Sequence, residues 1–134
     1  MILLDTQTLL WLTEDGRLGA RARRRIDANT GNIHLSAISF WEIAMLIDKR
    51  RIALAMPLQD WMRRLFDTGG FRTVSIDPAI ATDAGSLPGD LHGDPCDRII
   101  IATARSLGCA LLTSDRAILD YAAQGHVEAI DATR

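Results

Sequence analysis

The sequence has few cysteines, no long apolar run and almost no lysine. Cys96 and Cys109 are the only cysteines among 134 residues, and their separation does not match a zinc-binding spacing. We therefore expect both to be reduced thiols in a cytoplasmic protein. The longest apolar runs fall far short of a membrane span, and the amino terminus carries neither a basic leader nor a small-residue cleavage site. We expect no membrane segment and no secretory signal.

The charged residues are mostly arginine and aspartate. Lys49 is the only lysine, and glutamate occurs only at positions 14, 42 and 128. Aspartate supplies most of the acids, which suits turns and helix caps because its short side chain can bond the local backbone. The arginines cluster at positions 21 and 23–25, at 50–51 and at 63–64. Such clusters usually coat a solvated helix face, but they are also what a contact with nucleic acid requires.

Short apolar segments alternate with helical patterns along the chain. The composition, 48% apolar and 24% charged, is ordinary for a soluble globular protein. Strands alternating with helices imply right-handed crossovers and a parallel sheet covered on both faces. We predict a single three-layer α/β/α domain over residues 1–134. The predicted strands are 2–4, 33–35, 71–76, 110–113 and 127–130, and the predicted helices are 6–12, 20–28, 36 or 39 to about 50, 57–68, 78 to about 87, 95–107 and 116–123.

Three acids are predicted to lie at one edge of this sheet. Asp5 and Asp115 each follow an apolar strand, and ligands of an open parallel sheet bind beyond the carboxyl ends of its strands. Asp97 falls in the first turn of a central apolar helix whose predicted N-cap is Asp94, with Pro95 at the first helical position. Each acid could simply cap a helix. That interpretation weakens for the set, because all the caps would meet at the same edge.

Glu42 is a fourth candidate for the same site. The helix positions three and four residues from it are mostly apolar, so its face should turn inward. An ionised glutamate in such a place is costly unless it is paired or binds a cation. Two structural alternatives remain open: a buried salt bridge, for example to Arg98, or a position at the border of the apolar stripe with the carboxylate in solvent.

Four carboxylates in one place would repel one another unless a cation neutralised them. Oxygen-rich sites of high charge suit Mg²⁺ or Mn²⁺. His34 and His126 are interpreted as structural or surface residues, whereas His92, in the loop before the central helix, is left undecided. With a cation bound and arginine nearby, a phosphodiester is the natural substrate. The sequence shows no catalytic serine triad, Gly-rich phosphate loop or cysteine nucleophile, which favours direct attack by water.

Four segments, in this order and near this spacing, resemble those of PIN-domain ribonucleases, and within them the VapC-type toxins of type II toxin–antitoxin modules. They are residues 3–6 (Leu-Leu-Asp-Thr), 36–43 (Ser-Ala-Ile-Ser-Phe-Trp-Glu-Ile), 92–98 (His-Gly-Asp-Pro-Cys-Asp-Arg) and 112–115 (Leu-Thr-Ser-Asp). The resemblance that they carry extends over essentially the whole chain. One departure is Cys96, which stands where such toxins commonly carry phenylalanine.

The resemblance implies a five-stranded parallel sheet of order 3-2-1-4-5 and a metal-dependent endoribonuclease. It also implies a homodimer and inhibition by a cognate antitoxin, for which a groove lined by Trp11, Trp41, Trp61 and Met45 is a candidate surface. The alternative is a catalytically silent PIN-like module that binds RNA or protein. The residues implied are Asp5, Glu42, Asp97 and Asp115 as catalytic acids and ligands of Mg²⁺ (or Mn²⁺), Asp94 as an additional acid, Thr6, Ser39 and Thr113 as hydroxyls that orient the carboxylates, and Arg98 and Arg116 as candidate substrate-binding residues.

Overall fold

The computed structural model describes residues 1–134, apart from the side chain of Asp15. Five short strands alternate with seven α-helices, and the first helix continues into a π-helical turn over Trp11–Asp15. The strands are β1 (Ile2–Leu4), β2 (Ile33–Ser36), β3 (Phe71–Val74), β4 (Ala110–Thr113) and β5 (Ala129–Asp131), and the helices are α1 (Thr6–Leu10), α2 (Ala20–Ala28), α3 (Ala37–Asp48), α4 (Leu58–Asp67), α5 (Pro78–Gly85), α6 (Pro95–Leu107) and α7 (Arg116–Ala123).

The strands form one parallel sheet in the order β3-β2-β1-β4-β5, which confirms the predicted topology. The first strand lies at its centre, where Ile2 pairs with Ile33 of β2 on one side and with Ala110 of β4 on the other. Its three residues are fully buried. A central strand of a parallel sheet is covered on both faces, which explains why β1 is apolar throughout rather than alternating.

Each face of the sheet carries its own apolar core. Ile2 and Leu4 point into one core, which they share with α1, α2, α3 and α4. Leu3 points the opposite way, into a core formed with α5, α6 and α7. This alternation is the period of two expected along a strand. The sheet is therefore enclosed between two helical layers, as the predicted three-layer architecture requires.

Several predicted boundaries were wrong at the ends of elements. Strand β3 ends at Val74 rather than at position 76, because Asp77 already caps α5 by accepting a hydrogen bond from the backbone N–H of Ile80 (2.8 Å). Helix α5 ends at Gly85 rather than near 87. Strand β5 starts at Ala129 rather than at 127, since Val127 is buried in a core without joining the ladder.

The start of α3 was left open between two serines, and Ser36 is the cap. Its hydroxyl oxygen accepts a hydrogen bond from the backbone N–H of Ile38 (3.2 Å), and the helix begins at Ala37. No helix in the described part of the chain is both long and apolar enough to cross a lipid bilayer.

Candidate acidic active site

Asp5 and Asp115 lie at the carboxyl ends of neighbouring strands, and both cap the helix that follows. Oδ1 of Asp5 accepts a hydrogen bond from the backbone N–H of Thr8 (2.8 Å), and Oδ1 of Asp115 accepts one from that of Ile118 (3.0 Å). The capping interpretation therefore holds for each residue. It accounts for one oxygen of each carboxylate; the second oxygen of Asp5 is bonded by the hydroxyl of Thr113, and that of Asp115 accepts no hydrogen bond from the described residues.

Asp94 and Asp97 arrive at the same place on the first turn of α6. Asp94 is the N-cap, and its Oδ1 accepts a hydrogen bond from the backbone N–H of Asp97 (3.0 Å). The carboxylate of Asp97 takes no part in that capping bond, and its side chain is 24% exposed. Because the positive end of a helix dipole favours nearby negative charge, the start of α6 suits both acids.

Glu42 of α3 completes the arrangement. It is half-buried, and in the described part of the chain its carboxylate has no cation within ion-pair distance. The structure excludes the salt bridge to Arg98 that the sequence left open. A cavity of about 390 Å³ is lined by side chains from α1, α3, α6 and the turn after β4, and its acidic members are Asp5, Glu42, Asp94, Asp97 and Asp115.

Hydroxyl groups connect the elements that carry these acids. The hydroxyl of Thr113 donates a hydrogen bond to Oδ2 of Asp5 and accepts one from the backbone N–H of Asp115 (3.0 Å), so it links the ends of β1 and β4. The hydroxyl of Thr6 donates to Oγ of Ser39 (3.0 Å) and thereby joins α1 to α3. Of the three hydroxyls that the resemblance implied, that of Thr113 bonds to a carboxylate, whereas those of Thr6 and Ser39 bond to each other.

The pKa values show how strongly the carboxylates affect one another. Burial, followed by the charges of Asp94, Asp115, Glu42 and Asp5, raises the pKa of Asp97 to about 7. Burial likewise raises the pKa of Asp5, against the opposing effect of its hydrogen bonds to Thr113 and Thr8. The acids from four separate parts of the chain therefore share one electrostatic environment, in which full ionisation is unfavourable without a cation.

Cys96 adjoins the acidic cavity but is not suited to act as a nucleophile. Burial, together with the charges of Glu42, Asp94 and Asp97, raises the pKa of its thiol to about 11. The thiolate is the reactive form of cysteine, and a raised pKa keeps the thiol protonated. Cys96 and Cys109 are both free and buried, as expected for reduced thiols.

His92, which the sequence left undecided, lies at this site. One of its ring nitrogens and one oxygen each from Asp97 and Asp115 lie within 4.8 Å of one another, close enough to share one cation. This tight group does not include Asp5 or Glu42, although both line the same cavity. The position of His92 in the sequence, two residues before a helix cap, was the only signal that pointed to it.

The hydrogen bonds of His92 define its tautomer. Its Nδ1 accepts a hydrogen bond from the backbone N–H of Asp94 (3.2 Å), so the proton of the neutral ring lies on Nε2. Nε2 is 3.4 Å from Oδ2 of Asp97. In this tautomer the Nε2 lone pair that would bind a metal is occupied by the proton, and Nε2 lies within ion-pair distance of Asp97 without forming a hydrogen bond to it.

Neither arginine predicted to bind substrate extends into the acidic cavity. The guanidinium of Arg98 donates to the backbone carbonyls of Ala84 (2.8 Å), Leu91 (3.4 Å) and His92 (3.3 Å). Arg98 therefore anchors the loop that carries His92. The side chain of Arg116 extends over β5, where its Nη2 lies 3.9 Å from Oδ2 of Asp131, and it is 71% exposed.

Comparison with known proteins agrees with this architecture. The family model described as the PIN domain matches residues 2–124. The chain is 38% identical over 121 residues to the ribonuclease VapC22 of Mycobacterium tuberculosis, which covers 90% of this chain and 91% of that protein. The chain belongs to the PIN-domain family and, within it, to the VapC-type members, as the four sequence segments predicted.

Solved structures of low sequence identity share the fold. A DNA-bound VapBC from Salmonella typhimurium matches with a TM-score of 0.69 and 21% identity, covering 97% of this chain and 96% of the other. FitAcB from Neisseria gonorrhoeae matches with a TM-score of 0.67 and 19% identity, covering 98% of each chain. These likenesses support the order and the parallel pairing of the strands.

The raised pKa of Asp97 predicts a pH dependence of stability for the metal-free protein. An unfolded aspartate titrates near about 3.9, so the folded state binds the proton more tightly between roughly pH 4 and pH 7. The free energy of unfolding should therefore fall as the pH rises through this window. Asp97→Asn should stabilise the protein at pH 8 by on the order of 2 kcal/mol, because one pKa unit is worth about 1.4 kcal/mol and solvent screens part of the shift.

Urea unfolding in EDTA at about pH 4.5 and pH 8 measures this difference. The exposed Asp90, in the loop before α6, gives a matched control: Asp90→Asn should leave the profile unchanged. Parallel pH profiles for the wild type and Asp97→Asn would contradict the shared electrostatics of the cluster.

Proposed function

We propose that this protein is a metal-dependent endoribonuclease that acts as the toxin of a type II toxin–antitoxin pair, as a single domain in the cytoplasm. The observation that carries the proposal is the gathering of the carboxylates of Asp5, Glu42, Asp94, Asp97 and Asp115 around one cavity. The relative with 38% identity is named a ribonuclease, and its match extends over almost the whole chain. Since all four predicted acids are present, the silent binding module is not favoured.

The donor set fits a hard divalent cation. Carboxylate oxygens are the ligands preferred by Mg²⁺ and Mn²⁺, and we assign Asp5, Glu42, Asp97 and Asp115 as the residues that hold one of these ions. When bound, such a cation lowers the pKa of water and stabilises negative charge on the phosphodiester. Thr113 holds Asp5 in position by its hydrogen bond, and the caps on Thr8 and Ile118 fix the orientations of Asp5 and Asp115.

In this proposal His92 orients Asp97 rather than binding the metal. Its Nε2 lies 3.4 Å from Oδ2 of Asp97, and Arg98 holds the loop by donating to the backbone carbonyls of Leu91 and His92. A donor on one oxygen of a carboxylate fixes the direction in which the other oxygen is offered. Partners of this kind are typically worth 10–100-fold in metal affinity.

Substitution of His92 should therefore weaken Mn²⁺ binding without abolishing it. We expect His92→Ala to lose roughly 10-fold or more in affinity, and His92→Gln to lose less because its amide can still donate to Asp97. Isothermal titration calorimetry measures the affinities, with His126→Gln as a remote histidine control. Electron paramagnetic resonance should detect no nitrogen coupling to bound Mn²⁺, and such coupling would show that His92 is a ligand instead.

The catalytic assignment is tested by RNA cleavage. The purified, antitoxin-free protein with Mg²⁺ or Mn²⁺ should cut at least one RNA in a broad panel. Asp97→Asn and Asp115→Asn should each reduce the rate by at least about 100-fold, more than is typical for a residue that merely orients a metal ligand. Both changes are isosteric, and the amide oxygen introduced by Asp115→Asn can still cap α7, so thermal unfolding should show intact folding. Cleavage that is unchanged in EDTA, or unchanged in both variants, would contradict the assignment.

The proposed antitoxin and the proposed homodimer need surfaces outside the acidic cavity. The candidate groove of the sequence analysis is only partly exposed: Trp61 is buried in the core, Trp11 and Met45 are half-buried, and Trp41 is 57% exposed. A solved structure of the same fold from Klebsiella pneumoniae is described as a toxin–antitoxin complex. Trp41 of α3 is therefore the member of that groove most available to an antitoxin.

We expect the product of an adjacent small reading frame to co-purify with this protein. Trp41→Ala should lower the recovery of that complex because a large apolar contact is lost. The exposed Ile76 (38%), in the loop between β3 and α5, serves as control through Ile76→Ala. A chain that is abundant and harmless when expressed alone, and that captures no such partner, would contradict the toxin assignment.

A further inference from the structure

A second cavity, of about 480 Å³, lies beside the acidic one and carries charge of the opposite sign. We call it the arginine groove, and its charged members are Arg21 and Arg25 of α2, Arg116 of α7, Arg134, and Asp131 at the end of β5. We propose that the arginine groove binds the phosphate backbone of single-stranded RNA as the strand passes from the acidic site. This inference rests on the proposed nuclease function and names how its substrate is held.

The topology places the groove next to the acids. Thr113 of β4, which bonds Asp5, pairs in register with Asp131 of β5. Neighbouring strands are about 4.8 Å apart, so a single strand spacing separates the acidic edge from the groove. Consecutive residues continue the connection, because Asp115 lines the acidic cavity and Arg116 lines the arginine groove. A strand bound in one cavity would enter the other.

The groove has a large excess of positive charge. Asp131 is the only acidic side chain among the described residues that line it, and Oδ1 of that residue is already bonded by the N–H (2.9 Å) and the hydroxyl (2.6 Å) of Thr133. Oδ2 of Asp131 lies 3.9 Å from Arg116 and 3.7 Å from Arg134, too far for hydrogen bonds. One carboxylate therefore draws two guanidinium groups toward the same point without occupying their donors.

Arg21 and Arg25 add to this excess from the opposite wall. They are four residues apart on α2, so both lie on the same side of the helix, and both are exposed. Among the described side chains no carboxylate forms an ion pair with either residue. Their charges are thus available to a ligand.

Arginines elsewhere in the protein are used differently. Arg98 donates to three backbone carbonyls, and Arg105 donates to Asp83 (2.9 Å) and to the carbonyl of His126 (2.6 Å). Within the described structure, none of the four guanidinium groups of the groove donates a hydrogen bond to protein. Arg116 and Arg134 are 71% and 72% exposed. Such groups retain the planar donor fork that suits bidentate contact with phosphate.

Electrostatics favours a polyanion that must approach the acids. The chain has a net charge of −2, and the acidic cavity by itself repels a phosphodiester. Positive charge one strand away offsets this repulsion for an RNA that spans both cavities, and arginine contacts to phosphate supply affinity without reading the sequence. An acidic protein segment could bind the same charges. If the groove served only such a segment, however, the salt dependence of RNA binding would not change when these arginines are removed.

The test measures binding of a fluorescein-labelled 12-nucleotide RNA by fluorescence anisotropy as a function of NaCl concentration. Asp97→Asn serves as the background so that the RNA is not cut. The test variant adds Arg21→Gln, Arg25→Gln and Arg134→Gln. The control variant adds Arg51→Gln, Arg63→Gln and Arg64→Gln, which removes the same total charge from exposed positions near α4. Thermal unfolding verifies that both variants fold, and the single variants Arg25→Gln and Arg134→Gln are measured as well.

The slope of log K against log[NaCl] should become shallower by about 2 in the test variant, since each lost contact to single-stranded nucleic acid contributes ~0.7. Affinity near 0.1 M salt should fall roughly 100-fold relative to the background, with convergence near 1 M. The control should change the slope little, and each single variant should change it by about 0.7. Equal losses of RNA affinity in the test and control variants, or an unchanged slope in the test variant, would overturn the proposal that the arginine groove binds RNA.

Two further results distinguish this inference from the proposed function. If the wild type binds RNA through the groove but cleaves none, the groove stands and the nuclease proposal fails. If the wild type cleaves RNA while the test variant binds RNA as tightly as the background, the proposed role of the arginine groove fails and the nuclease proposal stands. Loss of antitoxin co-purification in the test variant, with an unchanged RNA slope, would assign the surface to a protein partner and overturn the proposal.

Discussion

Repulsion between carboxylates at the carboxyl edge of the parallel sheet is the constraint on which the rest of the site depends. Asp5, Glu42, Asp97 and Asp115 come from four elements, and burial together with the charges of the neighbouring acids raises the pKa of Asp97 to about 7. Nothing local in the chain would bring them together. The two apolar cores, one on each face of the sheet, stabilise the fold that holds these charges close together.

The fold lowers this cost by placing acids where helices begin. Asp5, Asp94 and Asp115 each cap a helix through one oxygen, and each also lines the acidic cavity. The backbone N–H groups at a helix start are unpaired within the helix and carry partial positive charge. Capping and a site role are therefore compatible at the same residue, and observing a cap does not argue against function.

The arginines divide into two groups by what their donors contact. Arg98 and Arg105 donate to carbonyls and to a carboxylate of the protein, and thereby position the loop before α6 and the turn before β5. The arginines of the groove remain exposed and donate to no protein group in the described structure. The number of arginines in the sequence does not show which of them bond to protein and which remain exposed. That depends on whether the fold places an unpaired backbone carbonyl or a carboxylate near each guanidinium group.

The sequence by itself determined the alternation of strands and helices, the parallel sheet and the placement of Asp5, Asp97 and Asp115 at its edge, because periodicity, caps and strand ends are local properties. The strand order came from resemblance to a family, since long-range pairing leaves little local trace. Only the tertiary structure decided that His92 lies beside Asp97, that Arg98 bonds to a loop rather than to Glu42, and that Arg116 turns toward Asp131. Those outcomes depend on side-chain directions and on loop carbonyls from distant parts of the chain, which are fixed only when the two layers pack on the sheet.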